Sequence, residues 1–228
     1  MDISIIMPCL NEENTVGRCV GSAQRVIAVM GLEGEVIVVD NGSSDRSASI
    51  ARDSGARVIE EIRPGYGMAL RKGIKSAKGN VLILIDADTT YDFADIPRIY
   101  RPLSDDKADL VIGDRFSGGI RKGAMPLTHR LGVGVLSFLG RMRTGSGIRD
   151  FHCGLRGITK RAVEGLGFRT TGMEFATEMI VEASAQKLRI VQVPVSLDRC
   201  VYKRDSKLRT IRDGFRHLFY LIGFVASG

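Results

Sequence analysis

Residues 81–92 read VLILIDADTTYD, and that stretch decides the architecture. Residues 81–85 are apolar without a break, which is how a strand reads when both faces of its sheet are covered. The run then ends in Asp86-Ala87-Asp88, two carboxylates with one residue between them. The same pattern recurs toward the N-terminus. Residues 3–8 (ISIIMP) end at LNEEN, residues 35–40 (EVIVVD) end at NGSSD, and residues 56–60 (ARVIE) form a third short run. Between them lie helical stretches. The first follows Asn11, which can cap it, with Glu12 and Glu13 in its opening turn and Val16, Val20 and Ala23 on one face. The second is near residues 46–54, with Asp45 as its cap, and the third covers residues 68–78. Strand and helix alternating at this spacing predict an α/β fold, with a mostly parallel central sheet flanked by helices.

The second half is less regular. Residues 109–116 are strand-like, 117–130 read as a Gly-rich basic loop, 133–143 as a helix, and 150–159 as a loop entering a strand. Residues 172–186 have helical character. Residues 190–197 read as a strand whose Pro194 suits a sheet edge, and residues 210–226 as a helix that is basic, then apolar.

The whole chain has 228 residues, 44% of them hydrophobic and 26% charged, with 27 Gly and 6 Pro scattered along it. This composition excludes a disordered tail, a collagen and a coiled coil. Cys9, Cys19, Cys153 and Cys200 are far apart and form no CxxC or zinc spacing, which predicts reduced thiols in a cytoplasmic protein. The opening MDISIIMPCLNEEN has no basic n-region and does not read as a signal peptide. Residues 185–228 hold nine Lys or Arg against three Asp, nearly all of the net charge of +7. A basic end suits an anionic surface or a phosphorylated small molecule. With 6% aromatic residues, no Trp and no RNA- or zinc-finger pattern, nucleic acid is not an expected partner.

In open α/β sheets ligands bind at the carboxyl edge, where LNEEN, DNGSSD and DADTTYD all emerge. Asp86 and Asp88 repel unless a cation neutralises them. Mg²⁺ or Mn²⁺ would do so, taking oxygen ligands and sharing them with substrate phosphates. The same triplet also serves as a helix cap or solvated turn, so by itself it leaves both readings open. Asp40 ends a buried strand and can accept hydrogen bonds from a base or ribose. Arg63-Pro64-Gly65-Tyr66-Gly67 lacks the third glycine of a dinucleotide fingerprint and follows the third strand, which excludes a Rossmann NAD site. Gly65 and Gly67 still suit a backbone turn against a ligand. Arg204 and Lys207, three apart in YKRDSKLR, can close over a diphosphate or form a solvated surface run. His129, His152 and His217 share no metal spacing, and His152, next to Asp150, reads as a packing or loop residue ahead of a catalytic one. There is no GxSxG and no P-loop.

In order along almost the whole chain, MPCLNEEN, VIVVDNGSSD, DADTTYDF, GDRF, DFHCGLRG, GMEFATEM and LRTIRDGFRHL resemble family 2 glycosyltransferases of the GT-A fold. They are most similar to the polyprenyl- and dolichol-phosphate hexosyltransferases. The resemblance implies an inverting, metal-dependent transfer of a hexose from a UDP- or GDP-sugar to a polyprenyl phosphate. The alternative is a glycosyltransferase with a soluble small-molecule, peptide or saccharide acceptor. A non-catalytic nucleotide-binding protein on the same fold ranks last, because DADTTYD and Asp150 are intact. By resemblance, Pro8, Leu10, Glu12, Asp40 and Gly67 line the nucleotide-sugar site. Asp86, Ala87 and Asp88 meet the diphosphate, with Asp86 and Asp88 holding Mg²⁺ or Mn²⁺. Arg115 lies near the phosphates, Asp150 is the catalytic group beside the acceptor, and Arg204 and Lys207 belong to a loop that closes over the donor. Three departures stand out: Asn41 replaces the second carboxylate of the usual pair, Thr90 stands where relatives often carry Gln, and YKRDSKL lacks a familiar glycine. Residues 1–208 are then the GT-A catalytic domain. Residues 209–228 are a C-terminal basic and apolar helix, its ten-residue apolar run too short to span a bilayer; it suits equally a helix lying at the cytoplasmic face of one and a terminal helix packed on the core. Neither the sugar, the base nor the oligomeric state is legible.

Overall fold

The computed structural model describes residues 1–200 and 210–223. Seven strands form one sheet: β1 (Ile3–Cys9), β2 (Gly34–Asp40), β3 (Arg57–Glu60), β4 (Val81–Leu84), β5 (Leu110–Asp114), β6 (Arg156–Thr159) and β7 (Ile190–Pro194). Their spatial order is β3-β2-β1-β4-β6-β5-β7. All pairs are parallel except those of β6, which runs against both β4 and β5. The Pro-containing strand β7 lies at the edge, where the missing N–H costs no ladder bond. β1, β2 and β4 are the apolar runs of the sequence, and their side chains are buried almost throughout, as strands covered on both faces must be.

Helices α1 (Val16–Val29), α2 (Ser47–Asp53), α3 (Tyr66–Ser76) and α4 (Ile96–Ser104) make the crossovers of the first half. α3 lies tight against the sheet: a Cβ on Gly73 would stand 2.4 Å from Ile6 Cγ2. In the second half come α5 (Arg115–Gly118), α6 (Leu127–Thr144), α7 (Lys160–Glu164), α8 (Phe175–Ala185) and α9 (Thr210–Leu221). α9 packs on α6 and α8 and buries Asp213, His217 and Leu221.

Two local expectations are corrected. Asn11 is no helix cap: it has φ of 51°, α1 begins only after Thr15, and the Asn11 amide oxygen accepts from Ser44 N–H (2.8 Å), tying the β1 loop to the β2 loop. Residues 117–130 are not all loop, since α5 ends at Gly118 and α6 starts at Leu127. The apolar stripe of α6 at Leu127, Leu131, Val135, Phe138 and Met142 faces solvent, the reverse of a helix packing on a core.

Candidate functional site

The carboxyl ends of β1, β2 and β4 finish side by side, with Cys9 opposite Asp40 in register and Asn41 N–H bonded to the Cys9 carbonyl (2.8 Å). Three polar loops therefore leave one edge together. On the β1 loop Pro8 is half-buried, Leu10 exposed and Glu12 buried. Glu12 N–H donates to Ser47 Oγ (2.7 Å), and Thr15 Oγ1 lies 3.2 Å from the Glu12 carboxylate and 2.7 Å from the Ala87 carbonyl oxygen. Thr15 so pins the middle of the Asp86-Ala87-Asp88 turn to the start of α1. On the β2 loop, Asp40 Oδ2 accepts from Ser43 N–H (3.3 Å), while its buried Oδ1 has no partner among the described residues. An unsatisfied buried acceptor costs about 1–3 kcal/mol, which a ligand N–H or O–H directed at it would recover.

After β4 the two aspartates are held differently. Asp86 Oδ1 accepts from the Tyr66 hydroxyl (3.1 Å). Burial, then the charge of Asp86 itself, pushes that phenol well above its ordinary pKa, so it remains a donor. Beside Asp86 Oδ2 runs Gly154, where a Cβ would stand 2.4 Å away; only glycine lets the chain pass there. Asp88 is buried, and its Oδ1 accepts from Thr90 N–H (3.0 Å) and Thr90 Oγ1 (2.5 Å). Thr90 thus orients Asp88. No group of three or more His, Cys, Asp or Glu that could hold a metal occurs among the described residues. Two carboxylates suit Mg²⁺ or Mn²⁺, which fill their other positions with water and phosphate oxygens, and do not suit a closed zinc site.

Arg115 and Asp150 come together, but with each other. Arg115 Nε and Nη2 donate to Asp150 Oδ2 and Oδ1, both at 2.7 Å, and Asp150 also accepts from the Arg115 and His152 N–H groups. Side-chain exposure is 6% for Arg115 and 0% for Asp150. Burial works against the guanidinium charge, yet the Asp150 carboxylate bonded to it holds its pKa well above the ordinary value. Asp150, expected as the catalytic group, and Arg115, expected near the phosphates, are thus bonded to each other. A Cβ on Gly67 would lie 2.9 Å from the Thr170 carbonyl oxygen and one on Gly65 2.2 Å from that of Thr171, so on its Cβ side the turn packs on protein backbone. Arg204 and Lys207 lie outside the described residues.

Tyr66, Thr15 and Gly154 escape a reading of the sequence, although the first and last stand inside the singled-out segments RPGYG and DFHCGLRG. The wall beyond Asp86 is built on buried Arg156, whose guanidinium donates to the carbonyls of Cys153 (2.7 Å), Phe151 (2.8 Å) and Ala176 (2.5 Å). Burial drives His152 well below its ordinary pKa, with the neighbouring His217 and Arg115 adding to the effect. It is the packing residue expected, but the ring it packs on is His217, at 4.5 Å between centroids.

The sequence model of "Glycosyl transferase family 2" matches residues 4–167. The chain is 35% identical to a low-salt glycan biosynthesis hexosyltransferase of Haloferax volcanii over 96% of its own length, and spans 53% of that relative. It is 29% identical to a dolichyl-phosphate hexose transferase of the same organism, covering 85% of this chain and 82% of the relative. Among solved structures, glucosyl-3-phosphoglycerate synthase from Mycobacterium tuberculosis in complex with Mn²⁺, uridine diphosphate and phosphoglyceric acid matches with a TM-score of 0.78. That match covers 100% of this chain and 80% of the other at 24% identity, a likeness of fold.

Proposed function

The chain belongs to glycosyl transferase family 2 and has the GT-A fold, and from that premise we propose that it transfers a hexose from a nucleoside-diphosphate sugar to a polyprenyl phosphate. The observation that carries the reading is the edge shared by Asp40, with its buried unpartnered oxygen, and the Asp86-Ala87-Asp88 turn. Asp40 accepts from the base or ribose of the donor, with Pro8, Leu10 and Glu12 beside it. Asp86 and Asp88 hold Mg²⁺ or Mn²⁺, which supplies positive charge to the departing diphosphate when bound.

The anomeric carbon loses its bond to the diphosphate oxygen as an acceptor oxygen bonds to its opposite face, giving inversion. A phosphate acceptor arrives ionised, so no base has to take its proton, whereas a hydroxyl acceptor needs one. The Arg115–Asp150 pair, closed and dry, supports the ionised acceptor. Asp150 then acts by fixing the 150–155 wall.

A second feature supports a lipid acceptor. Leu127, Leu131, Val135, Phe138 and Met142 on α6 are 53–76% exposed, and Phe215, Phe219 and Ile222 on and just after α9 present a second apolar row. Arg130, Arg141 and Arg143 accompany the α6 stripe. No described helix is long and apolar enough to cross a membrane. Apolar rows with basic flanks suit helices lying in an anionic interface, and we place the enzyme peripherally at the cytoplasmic face. The other reading, a soluble acid acceptor, draws on the phosphoglyceric acid in complex with the glucosyl-3-phosphoglycerate synthase of matching fold.

The test is release of free nucleoside diphosphate from a panel of UDP- and GDP-sugars with Mn²⁺, with and without a short polyprenyl phosphate. Release that rises with the lipid phosphate is expected. Release indifferent to lipid but raised by a soluble acid selects the second reading. Absence of both release and donor binding overturns both.

A further inference from the structure

Two neighbouring residues on α9 reach back to Asp86 by separate routes. Arg216 Nη2 donates to Glu174 Oε1 (2.5 Å) and Thr171 Oγ1 (3.2 Å), and Glu174 Oε1 also accepts from Gly172 N–H (3.1 Å). The segment so gripped lies against the start of α3: Thr171 O accepts from Met68 N–H (3.2 Å), and the glycines at 65 and 67 leave no space between the two backbones. Between those glycines stands Tyr66, the donor to Asp86 Oδ1. The second route begins at His217, whose Nδ1 is 2.7 Å from Thr177 Oγ1; that hydroxyl is 3.4 Å from His152 Nε2. His152 belongs to the segment that continues into Gly154, in contact range of Asp86 Oδ2. Arg156 binds the same segment to α8 through the carbonyls of Phe151, Cys153 and Ala176. The first route thus ends on the donor to Asp86 Oδ1, and the second on the backbone that runs beside Oδ2. Both begin in the part of the chain beyond residue 167, where the family match ends.

We propose that Arg216 and His217 are positioning residues for Asp86, so that the seating of α9 sets how tightly the site takes a divalent cation with a nucleoside diphosphate. Only the choice of ligand rests on the function proposed above; the positioning rests on the contacts. Neither residue touches the ligand site itself, and both act through the hydroxyl donor and the backbone wall that hold the carboxylate in one orientation.

The experiment compares Arg216→Gln, Arg216→Lys and His217→Leu with the wild-type chain. Titration calorimetry with Mn²⁺ plus UDP or GDP gives the affinity, thermal unfolding the stability, and amide exchange the order of residues 65–68 and 151–155. Loss of a group that orients a metal ligand weakens binding by about 10- to 100-fold. Arg216→Gln and His217→Leu are each expected to weaken cation–nucleotide binding about tenfold, at the low end of that range. Exchange should rise at 65–68 in the first variant and at 151–155 in the second, with Arg216→Lys regaining most of the loss. Should either variant fail to fold, Glu174→Ala and Thr177→Val cut the same two routes at their midpoints. Unchanged affinity and exchange in folded variants overturn the proposal, as does a uniform rise in exchange that tracks a lower melting temperature. Selective loosening in a chain whose wild type binds neither nucleotide keeps the positioning and overturns the nucleotide-sugar reading instead.

Discussion

The two sides of the site are built on opposite electrostatic plans. On the donor side, Asp40, Asp86 and Asp88 stand at the ends of parallel strands, where hydroxyl and backbone amide donors orient them. Beyond Asp86, the guanidinium donors are already engaged: Arg115 closes on Asp150, and Arg156 bonds three backbone carbonyls. A carboxylate oriented by neutral donors keeps its charge for a cation brought by the ligand. A carboxylate closed by guanidinium has none to offer and becomes scaffolding. In the function proposed here, the same residue type would do chemistry on one wall and architecture on the other.

The sharpest trial of that difference is Asp150→Asn. It leaves a buried guanidinium without its partner, and breaking a buried pair this way costs roughly 3–5 kcal/mol. Urea unfolding should show the loss, and the double variant Arg115→Met with Asp150→Leu should regain most of it. Full stability combined with lost turnover would return Asp150 to the role of a base. Next in size, Asp88→Asn should lower turnover by about 10²–10³-fold, the scale for removing one preorganised charge-stabilising group. Its melting temperature should stay near the wild-type value, because the amide oxygen of Asn can still accept from Thr90; a large stability loss would erase the distinction between the two walls.

A pH experiment probes the matched wall from another direction. Burial, opposed by Glu174 and assisted by Arg156 and Arg216, pushes His217 down to about 4 from 6.5. The unfolded chain therefore takes up the proton first as pH falls. The stability that neutral His217 contributes is complete above about 6.5 and is lost progressively down to about 4, at up to about 1.4 kcal/mol per pH unit. His217→Gln keeps a partner for Thr177 but does not titrate, so the difference in unfolding free energy between the two chains should narrow across that window. A constant difference would mean that His217 is not held neutral. Smallest in effect, Leu131→Asp with Met142→Asp should reduce binding to anionic vesicles about tenfold while leaving the melting temperature unchanged, since both side chains are exposed. Equal vesicle binding would remove α6 from the lipid surface.

The donor wall is legible because its signals are local. Residues 3–9, 34–40 and 81–84 are β-branched apolar runs, and their polar ends mark the edge without knowledge of any other segment. The opposite wall is made by pairs far apart in sequence. Asp150 lies 35 residues from Arg115, and Thr177 lies 40 from His217, spacings that carry no periodicity. Gly67 is a backbone contact as its type suggests, but the partner is residues 170–172, which nothing near it announces. Helix α6 reads short because its N-terminal half is Gly-rich and basic, and its apolar stripe gives the period of a helix without saying which side faces the core.

The reversed strand β6 has a consequence for how such an enzyme diversifies. Parallel strands bring the loops that follow them to the working edge, whereas an antiparallel one brings the loop that precedes it. Residues 145–155 reach Asp86 in that way, from a stretch of chain whose length is set by no crossover to a parallel neighbour. Insertions or deletions there can reshape the wall beside Asp86 while the strands leading to Asp40, Asp86 and Asp88 keep their register. On the function proposed here, acceptor choice would then be able to drift in a lineage whose donor chemistry stands still.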